Sequence, residues 1–481
     1  MNQPRQIFKN TAAMATAELV TRVGHIILSF LVARILQAGG LGIYSTAIAY
    51  YGLLAVASGM GAQDFLVREI ARDRERTNRY VINASVMGTL AAVLAMVIFG
   101  AILPSLGFSA DLASGMNVII LAIIPGTLNT IQQAVFVAHQ RTEYLLYTRL
   151  IGTVVNVVLS SVLMLQGYGI VSLLIAYVVV EYLVMIVLFV FINRYIIPLR
   201  WEFNLSSAGK LVWGMRSFAA LSILAALFAQ PEVIILSLLV NEEQIGYYSA
   251  AYKLTGFWYL ISQMYMSNVY PILSRSYRLA EENFQYLQNK SIKYLLAISL
   301  PLTAGLIALA GPIVRLLYGA GFETAVLPLQ ILAWNIPPAF VGSVFWRVLA
   351  ARNRQDSILW VRIITLLTRL GGGYLLIWKW GIIGAAICAP ANLLINALLL
   401  GLYIQREGIH LKLFQLGWRF TLAALAMGAV TWVLRDHLSI WLLVPLAGAI
   451  YLLLIVLLKG FEADDIALFH RVLRPSAEEK S

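Results

Sequence analysis

Long runs of apolar residues, separated by short polar interruptions, extend through nearly the whole chain. They predict about fourteen transmembrane helices, because a bilayer-spanning helix needs about 20 mostly apolar residues. Strands of a barrel would alternate between polar and apolar positions over about ten residues, and these runs do not alternate. The predicted spans are 11–36, 40–65, 82–104, 114–138, 144–166, 169–193, 211–240, 245–274, 288–310, 325–350, 357–378, 381–404, 416–434 and 438–459.

The overall composition agrees with this pattern. Sixty percent of the 481 residues are hydrophobic and only 12% are charged, and the mean hydropathy is +0.81. An ordinary soluble domain is closer to half apolar and a quarter charged. Because the apolar residues are spread along the whole chain, a soluble domain with a membrane tail is excluded. The sequence predicts an all-α polytopic membrane protein.

The distribution of positive charge predicts the orientation in the membrane. A net charge of +12 would indicate nucleic acid as a partner of a soluble chain, but in membrane proteins lysine and arginine collect in cytoplasmic connections. If the spans alternate from a cytoplasmic N-terminus, the outer connections hold only Arg315, Lys379 and Arg435. We therefore predict a multi-pass protein of the cytoplasmic (inner) membrane with both termini in the cytoplasm and no nucleic-acid partner.

The chain also contains an internal repeat. Four short segments recur in the same order at an offset of about 210 residues. The pairs are 42–47 with 246–251, 106–108 with 320–322, 139–143 with 352–356, and 167–170 with 379–382. We therefore expect helices 1–6 and 7–12 to form two related bundles of the same topology, as in secondary transporters with parallel repeats.

The repeat divides the chain into three predicted regions. Residues 1–200 form an N-terminal six-helix bundle and residues 201–410 form a C-terminal six-helix bundle. Residues 411–481 contain helices 13 and 14 and a cytoplasmic tail. The two additional helices are expected to face lipid or to line a side portal.

Three segments resemble a known family. They are Gly246–Leu254, which has the pattern G-x-Y-S-x-A-Y-K-L, Ile313–Phe322, which contains L-Y-G-x-x-F, and the exit of helix 2 at Gly61–Ala71. Together with the arrangement of six, six and two helices, they resemble the Wzx-type polysaccharide flippases of the MOP exporter superfamily. The resemblance extends from about residue 5 to residue 406.

This resemblance implies a V-shaped pair of bundles around a central cavity. It further implies translocation of a polyprenyl-diphosphate-linked oligosaccharide from the cytoplasmic to the outer leaflet by alternating access, for surface polysaccharide or lipopolysaccharide biosynthesis. The implied partners are the lipid-linked oligosaccharide and membrane lipids, with a polysaccharide polymerase and chain-length machinery as further candidates. No cofactor is implied, although a proton or sodium gradient is a candidate energy source.

Other functions remain open. A lipid II flippase would share the anionic substrate, and a cation-coupled multidrug exporter would share the superfamily. A membrane glycosyltransferase or polymerase is a more distant alternative, disfavoured because the outer connections are short. The chain has no G-x-x-x-x-G-K-[ST], H-E-x-x-H or G-x-S-x-G motif, so we predict a transporter without catalytic residues. Scattered histidines and the single cysteine, Cys388, predict neither a metal site nor a disulfide framework.

Cations at membrane depth are the first candidate site. Charges inside a bilayer are costly and usually face an interior cavity, and guanidinium binds phosphate oxygens with two parallel hydrogen bonds. We predict a cationic cavity that binds the substrate diphosphate through Arg22, Arg216, Lys253 and Arg369. The alternatives are an ion pair between Arg22 and Glu18, one helical turn apart, and extension of the Arg216 side chain to the inner surface.

Acids and amides at depth are the second candidate group. Candidates for ion coupling are Glu18, Glu181 and Glu232, the last of which follows a proline that is expected to kink its helix. Its alternative role is a salt bridge to Lys253. Candidate sugar contacts are Asn129, Gln132, Gln133, Asn156, Tyr252, Trp258 and Gln263. These polar and aromatic residues have alternative roles, because polar side chains join transmembrane helices and aromatics gather at interfaces.

Overall fold

The computed structural model describes residues 3–279, 281–409, 411–462 and 464–465, with side chains from residue 16 onward apart from those of residues 278, 279 and 281. The predicted cytoplasmic tail beyond residue 465 lies outside this range. The described residues form α-helices joined by short connections and contain no strand. The helices are α1 Gln3–Gly59, α2 Ala62–Arg72, α3 Thr77–Ile102, α4 Ala110–Ile119, α5 Ile123–Ala138, α6 Glu143–Leu165, α7 Ile170–Tyr195, α8 Leu205–Ala229, α9 Pro231–Leu239, α10 Glu242–Gly256, α11 Tyr259–Leu279, α12 Glu281–Tyr318, α13 Val326–Ala333, α14 Ile336–Ala351, α15 Gln355–Arg406, α16 Leu413–Leu434 and α17 Ile440–Leu457.

Eleven helical stretches within the described residues are long and apolar enough to cross a membrane, which confirms an all-α polytopic membrane protein. Two of the longest helices contain a break. Helix α1 is interrupted at Gln37, whose φ is 58°, and α15 is interrupted at Gly381, whose φ is 55°. Both breaks fall at or next to the connections that the sequence predicts, 37–39 and 379–380.

Several predicted spans are more segmented than the hydropathy pattern indicates. The span predicted at 114–138 contains a 3-10 turn, Ile120–Ala122, between α4 and α5. The span predicted at 211–240 is divided between α8 and α9 at Gln230, because Pro231 has no backbone N–H to continue the helix and instead begins a new one. The span predicted at 245–274 is divided between α10 and α11 at residues 257–258.

The chain packs as two compact units. The first runs to Ala250 and includes the short stretch Ile377–Ile382; the second comprises Ala251–Leu376 and the chain from Ile383 onward. A hydrophobic core in the first unit contains Leu66, Phe136 and Leu188, whose side chains are fully buried. A core of the second unit is built around Phe340, Phe345 and Phe284.

Two repeat segments contact each other within the first unit. A Cβ atom added to Gly42 would lie 1.8 Å from the carbonyl oxygen of Glu242, and one added to Gly246 would lie 1.9 Å from the carbonyl oxygen of Ala38. Each glycine thus packs against the carbonyl located one helical turn before the other glycine. The equivalent glycines of the repeat therefore form a reciprocal crossing of α1 and α10.

Another pair of repeat segments shares its backbone geometry. After α5, Gln140 has a φ of 57°, and after α14, Asn353 has a φ of 59°. In the first turn the N–H of Arg141 donates to the carbonyl of Phe136; in the second, the N–H of Arg354 donates to the carbonyl of Leu349. Both helices therefore end in the same left-handed turn, which satisfies the terminal carbonyl groups.

An ion cluster ties the segment after α17 to the start of α12 in the second unit. The buried carboxylate of Asp465 accepts hydrogen bonds from Lys290 Nζ at 2.5 Å, Lys293 Nζ at 2.6 Å and Tyr294 Oη at 2.7 Å. Burial alone would raise the pKa of Asp465, but the hydrogen bonds from the two lysines hold it well below its usual range. The cluster therefore stays ionised and anchors the chain that follows α17.

Candidate functional site

The face of α1 that carries Glu18 and Arg22 forms an ion-pair network with α6. Glu18 Oε1 lies 2.8 Å from Arg22 Nε, and Glu18 Oε2 lies 3.1 Å from Arg149 Nη1. All three side chains remain more than a third exposed. Arg22 therefore forms the ion pair with Glu18 that the sequence analysis gave as its alternative role. The side chain of Arg22 is also exposed enough to remain accessible to a ligand.

Glu181 on α7 lies in a polar cluster of the first unit. Asn129 Nδ2 on α5 donates to Glu181 Oε2 at 2.7 Å, and the carboxylate also accepts hydrogen bonds from Tyr51 and Tyr177. The two tyrosine rings meet edge to face at 5.4 Å. Among the described residues the carboxylate is surrounded by neutral donors and has no bonded cation, which is the chemistry of a group that binds a proton or a small cation.

The other predicted amides of the first unit are packed among its helices. Gln132 and Asn156 are each 6% exposed, and Asn156 Oδ1 accepts a hydrogen bond from Ser160 Oγ. The Oε1 atom of Gln132 is buried without a hydrogen-bond partner among the described residues. Gln133 is partly exposed on the same helix.

The four predicted cavity cations are divided between the units. Arg22 and Arg216 belong to the first unit, and Lys253 and Arg369 belong to the second. Arg216 is exposed on α8, where its guanidinium lies 4.1 Å from the ring centroid of Trp213. Lys253 and Arg369 are partly buried on α10 and α15. Their convergence on one cavity stays a prediction.

Glu232 is buried, with 2% exposure, in the first turn of α9. The helix break at Gln230 and Pro231 places it at a helix N-terminus, where backbone N–H groups favour negative charge. Glu232 and Glu181 are thus both carboxylates placed inside the first unit, and the ion-coupling role of each stays a prediction.

The second unit contains a cavity of about 400 Å³ between α11, α14 and α15, which we term the polar cavity because charged and amide side chains share its lining with apolar ones. Among the residues lining it are Arg347, Arg362, Trp346, Asn396 and the predicted sugar contact Gln263. Sequence reasoning missed the two arginines because the positive-inside rule already accounted for cations near cytoplasmic helix ends. The adjacent Trp346 and Arg347 near the end of α14 were the feature of the sequence that could have indicated a ligand-binding position.

A second cavity in the same unit is almost wholly apolar. Its volume is about 710 Å³, and it lies between α12, α16 and α17. Leu302, Leu306 and Val444 line it, as does Trp258, one of the predicted sugar contacts. The adjacent Tyr259 lines the polar cavity. Consecutive residues at the α10–α11 break therefore border an apolar and a polar cavity. Tyr252 lies on α10, partly buried.

No group of three or more His, Cys, Asp or Glu side chains within the described residues could hold a metal ion.

A family model described as "Polysaccharide biosynthesis protein" matches residues 31–327, more than half of the chain. The chain belongs to this polysaccharide biosynthesis protein family. It is also 23% identical over 248 residues to a Haloferax volcanii protein described as the probable low-salt glycan biosynthesis flippase Agl15. That alignment covers 51% of each protein, so the chain spans about half the length of the curated relative it matches.

Solved structures show the same fold. The chain resembles the lipid II flippase MurJ in an inward closed conformation, with a TM-score of 0.77 and 17% identity over 95% of this chain and 99% of that one. It also resembles an inward-facing multidrug resistance MATE family transporter of the MOP superfamily, with a TM-score of 0.68 and 13% identity over 82% and 98%. At these identities the likenesses concern the fold alone.

Proposed function

We propose that this protein is a flippase that moves a polyprenyl-diphosphate-linked oligosaccharide from the cytoplasmic to the outer leaflet by alternating access, for surface polysaccharide biosynthesis. The apolar cavity of about 710 Å³ carries this proposal. Its size falls in the range of about 300–1,000 Å³ that is usual for ligand sites. An apolar cavity beside a polar one suits an amphiphile, and membership in a polysaccharide biosynthesis family supports a glycan as its polar part.

We propose that the chain crosses the membrane fourteen times, as two six-helix bundles and two additional helices. A helix of 57 residues such as α1 is about 85 Å long, whereas the bilayer core is about 30 Å thick. The breaks in α1 and α15 therefore separate two spans each. The α9–α11 region supplies the remaining span.

The two additional helices, α16 and α17, form one wall of the apolar cavity, which supports their role as a side portal. In this proposal the polyprenyl chain occupies the apolar cavity, and the four predicted cations supply positive charge that attracts the headgroup. Their positive charge favours a diphosphate and disfavours a cationic drug, because like charges repel.

The test is translocation by the purified protein. Proteoliposomes with a fluorescent polyprenyl-diphosphate oligosaccharide in one leaflet are treated with a membrane-impermeant quencher, which reports movement to the other leaflet. The proposal expects protein-dependent movement that protein-free vesicles do not show. A matched measurement with labelled lipid II and with a fluorescent cationic drug separates the alternatives: preferred transport of either one would replace the proposed substrate.

A further inference from the structure

The polar cavity between α11, α14 and α15 contains two guanidinium groups. Arg347 at the end of α14 and Arg362 in α15 both line its volume of about 400 Å³. Within the described part of the chain, neither guanidinium has a carboxylate partner. Guanidinium groups without a bonded carboxylate remain available to phosphoryl oxygens, which they bind with parallel hydrogen bonds. The cavity therefore has the charge to bind an anionic ligand.

The surrounding side chains hold Arg347 in position. Its Nη2 donates to Gln263 Oε1 at 3.4 Å and its Nη1 donates to the carbonyl of Met266 at 3.5 Å. The guanidinium also lies over the rings of Tyr270 at 5.5 Å and Trp346 at 5.2 Å. These long, partial contacts orient the group and leave donor capacity for phosphoryl oxygens. Arg362 is exposed and forms no hydrogen bond with the described residues.

The indole ring of Trp346 adds a third donor group to this cavity. The indole Nε1 of Trp346 is buried and finds no hydrogen-bond partner among the described residues. An unsatisfied buried N–H is destabilising, and a ligand oxygen would relieve that cost. Asn396 and Gln263 supply amide groups in the same lining, and Tyr259 supplies an aromatic ring. Amides and aromatic faces are suited to the hydroxyl groups and apolar faces of a sugar ring.

The position of the cavity relates it to the membrane. Tyr259 lines this cavity, and the preceding residue, Trp258, lines the apolar cavity. Both cavities therefore border the α10–α11 break. Arg347 and Arg362 also belong to the cations that the charge pattern assigns to cytoplasmic helix ends.

We propose that this cavity binds the sugar–diphosphate junction of the lipid-linked substrate on its cytoplasmic side, with Arg347 and Arg362 on the diphosphate and Trp346 as an additional donor. The assignment rests on the proposed function for the identity of the lipid. The shared chemistry is a phosphoryl group next to a hydrophobic chain, which a phospholipid also possesses, so the experiment includes both sources.

The binding experiment uses the full-length protein in phosphatidylcholine nanodiscs and a short-chain probe, geranyl-diphosphate-linked N-acetylglucosamine, measured by calorimetry. Arg347→Gln and Arg362→Gln should each weaken binding by about tenfold or more, as expected for the loss of a hydrogen bond between charged groups. Arg362→Lys should recover part of the loss, since it keeps the charge without the planar fork. If Arg347→Gln fails to fold because its contacts are lost, Arg362→Gln decides.

The matched control is Arg275→Gln, which removes an exposed arginine from α11 of the same unit but not from the cavity lining. It should bind the probe as the wild type does. The geranyl glycoside without diphosphate should bind weakly and should be insensitive to the arginine variants. Unchanged probe binding by a folded double variant, Arg347→Gln with Arg362→Gln, would overturn the proposal. Both arginines would then be explained by the preference of cations for cytoplasmic helix ends.

A second arm replaces phosphatidylcholine with phosphatidylglycerol. If the anionic phospholipid displaces the probe at similar concentration and the variants abolish that competition, the cavity is a phospholipid headgroup site and the proposal is wrong. Translocation separates this proposal from the proposed function. Wild-type translocation with arginine-independent binding would refute only the cavity assignment, whereas arginine-dependent binding without translocation would refute only the flippase.

Discussion

The crossing of the two repeat glycines allows a direct test of the packing in the first unit. In Gly42→Ala the new Cβ would lie 1.8 Å from the carbonyl oxygen of Glu242, and in Gly246→Ala it would lie 1.9 Å from that of Ala38. These are backbone atoms within helices, so no side chain can rotate away. An ordinary contact is about 3.5 Å, so these atoms would have to move apart by about 1.6–1.7 Å, which separates α1 from α10.

Overpacking of this kind costs about 1–3 kcal/mol. At about 2–4 °C per kcal/mol for a unit of this size, each variant should lower the Tm by about 2–12 °C. Because both variants open the same crossing, the loss in the double variant should be smaller than the sum of the single losses. The assay is thermal unfolding of the purified protein in detergent, followed by size exclusion.

Gly52→Ala is the matched control, since it lies in α1 with no atom within 4 Å of the added Cβ. There the substitution only improves helix propensity, by about 1 kcal/mol, so the Tm should stay or rise. Opposite signs for the same chemical change within one helix are the expected result. A fall in Tm for Gly52→Ala equal to that for Gly42→Ala would refute the close crossing.

Four other perturbations have defined outcomes. Asp465→Asn should destabilise the second unit by about 3–5 kcal/mol, because two lysine ammonium groups lose their buried counterion; a thermal melt against wild type measures it. Burial and the charge of Arg74 lower the pKa of His139 in the folded protein. The unfolded chain therefore binds a proton more readily, and the stability of the folded state decreases as the pH falls below the unfolded pKa of about 6.5. His139→Gln removes this titration and should flatten the dependence of Tm on pH between about pH 7 and pH 5. Glu181→Gln should abolish the response of transport to an imposed proton or sodium gradient while leaving the protein folded. Loss of translocation without loss of protein from the membrane is expected for Arg22→Ala, Lys253→Ala and Arg369→Ala, and normal translocation in all three would contradict the cationic-cavity proposal.

The hydropathy pattern predicted the spans well where polar or small residues mark the breaks. The interruption of α1 at Gln37 precedes Ala-Gly-Gly, and the break in α15 falls at Gly381, so turn-forming residues mark both. The break at residues 257–258 was missed because Phe257 and Trp258 are themselves apolar. Hydropathy alone cannot distinguish such a break from a continuous span.

The repeat was visible in the sequence, but its contact was not. Segments 42–47 and 246–251 share a motif, yet only the structure shows that Gly42 and Gly246 pack against each other's helix. Contacts between distant segments depend on packing geometry, which a motif does not encode. For the same reason the anchor formed by Asp465 with Lys293, which are 172 positions apart, could not be predicted.

One residue that lines the polar cavity was a candidate from the sequence. Gln263 was identified as a sugar contact and lies in the polar cavity, but Arg347 and Arg362 were attributed to membrane topology alone. A cation near a helix end satisfies the positive-inside rule whether or not it binds a ligand. The proposed ligand role depends instead on neighbours in space, including the indole N–H of Trp346, which has no acceptor within the described part of the chain.

Competition between substrates in one vesicle population tests the central claim most directly. Proteoliposomes containing the wild-type protein receive a labelled polyprenyl-diphosphate oligosaccharide and a labelled phospholipid in the same leaflet, with the Arg369→Ala protein in parallel vesicles. We expect rapid movement of the oligosaccharide alone by the wild type and none by the variant. Equal movement of both lipids, or movement that the variant retains in full, would contradict a flippase that recognises an anionic glycan headgroup.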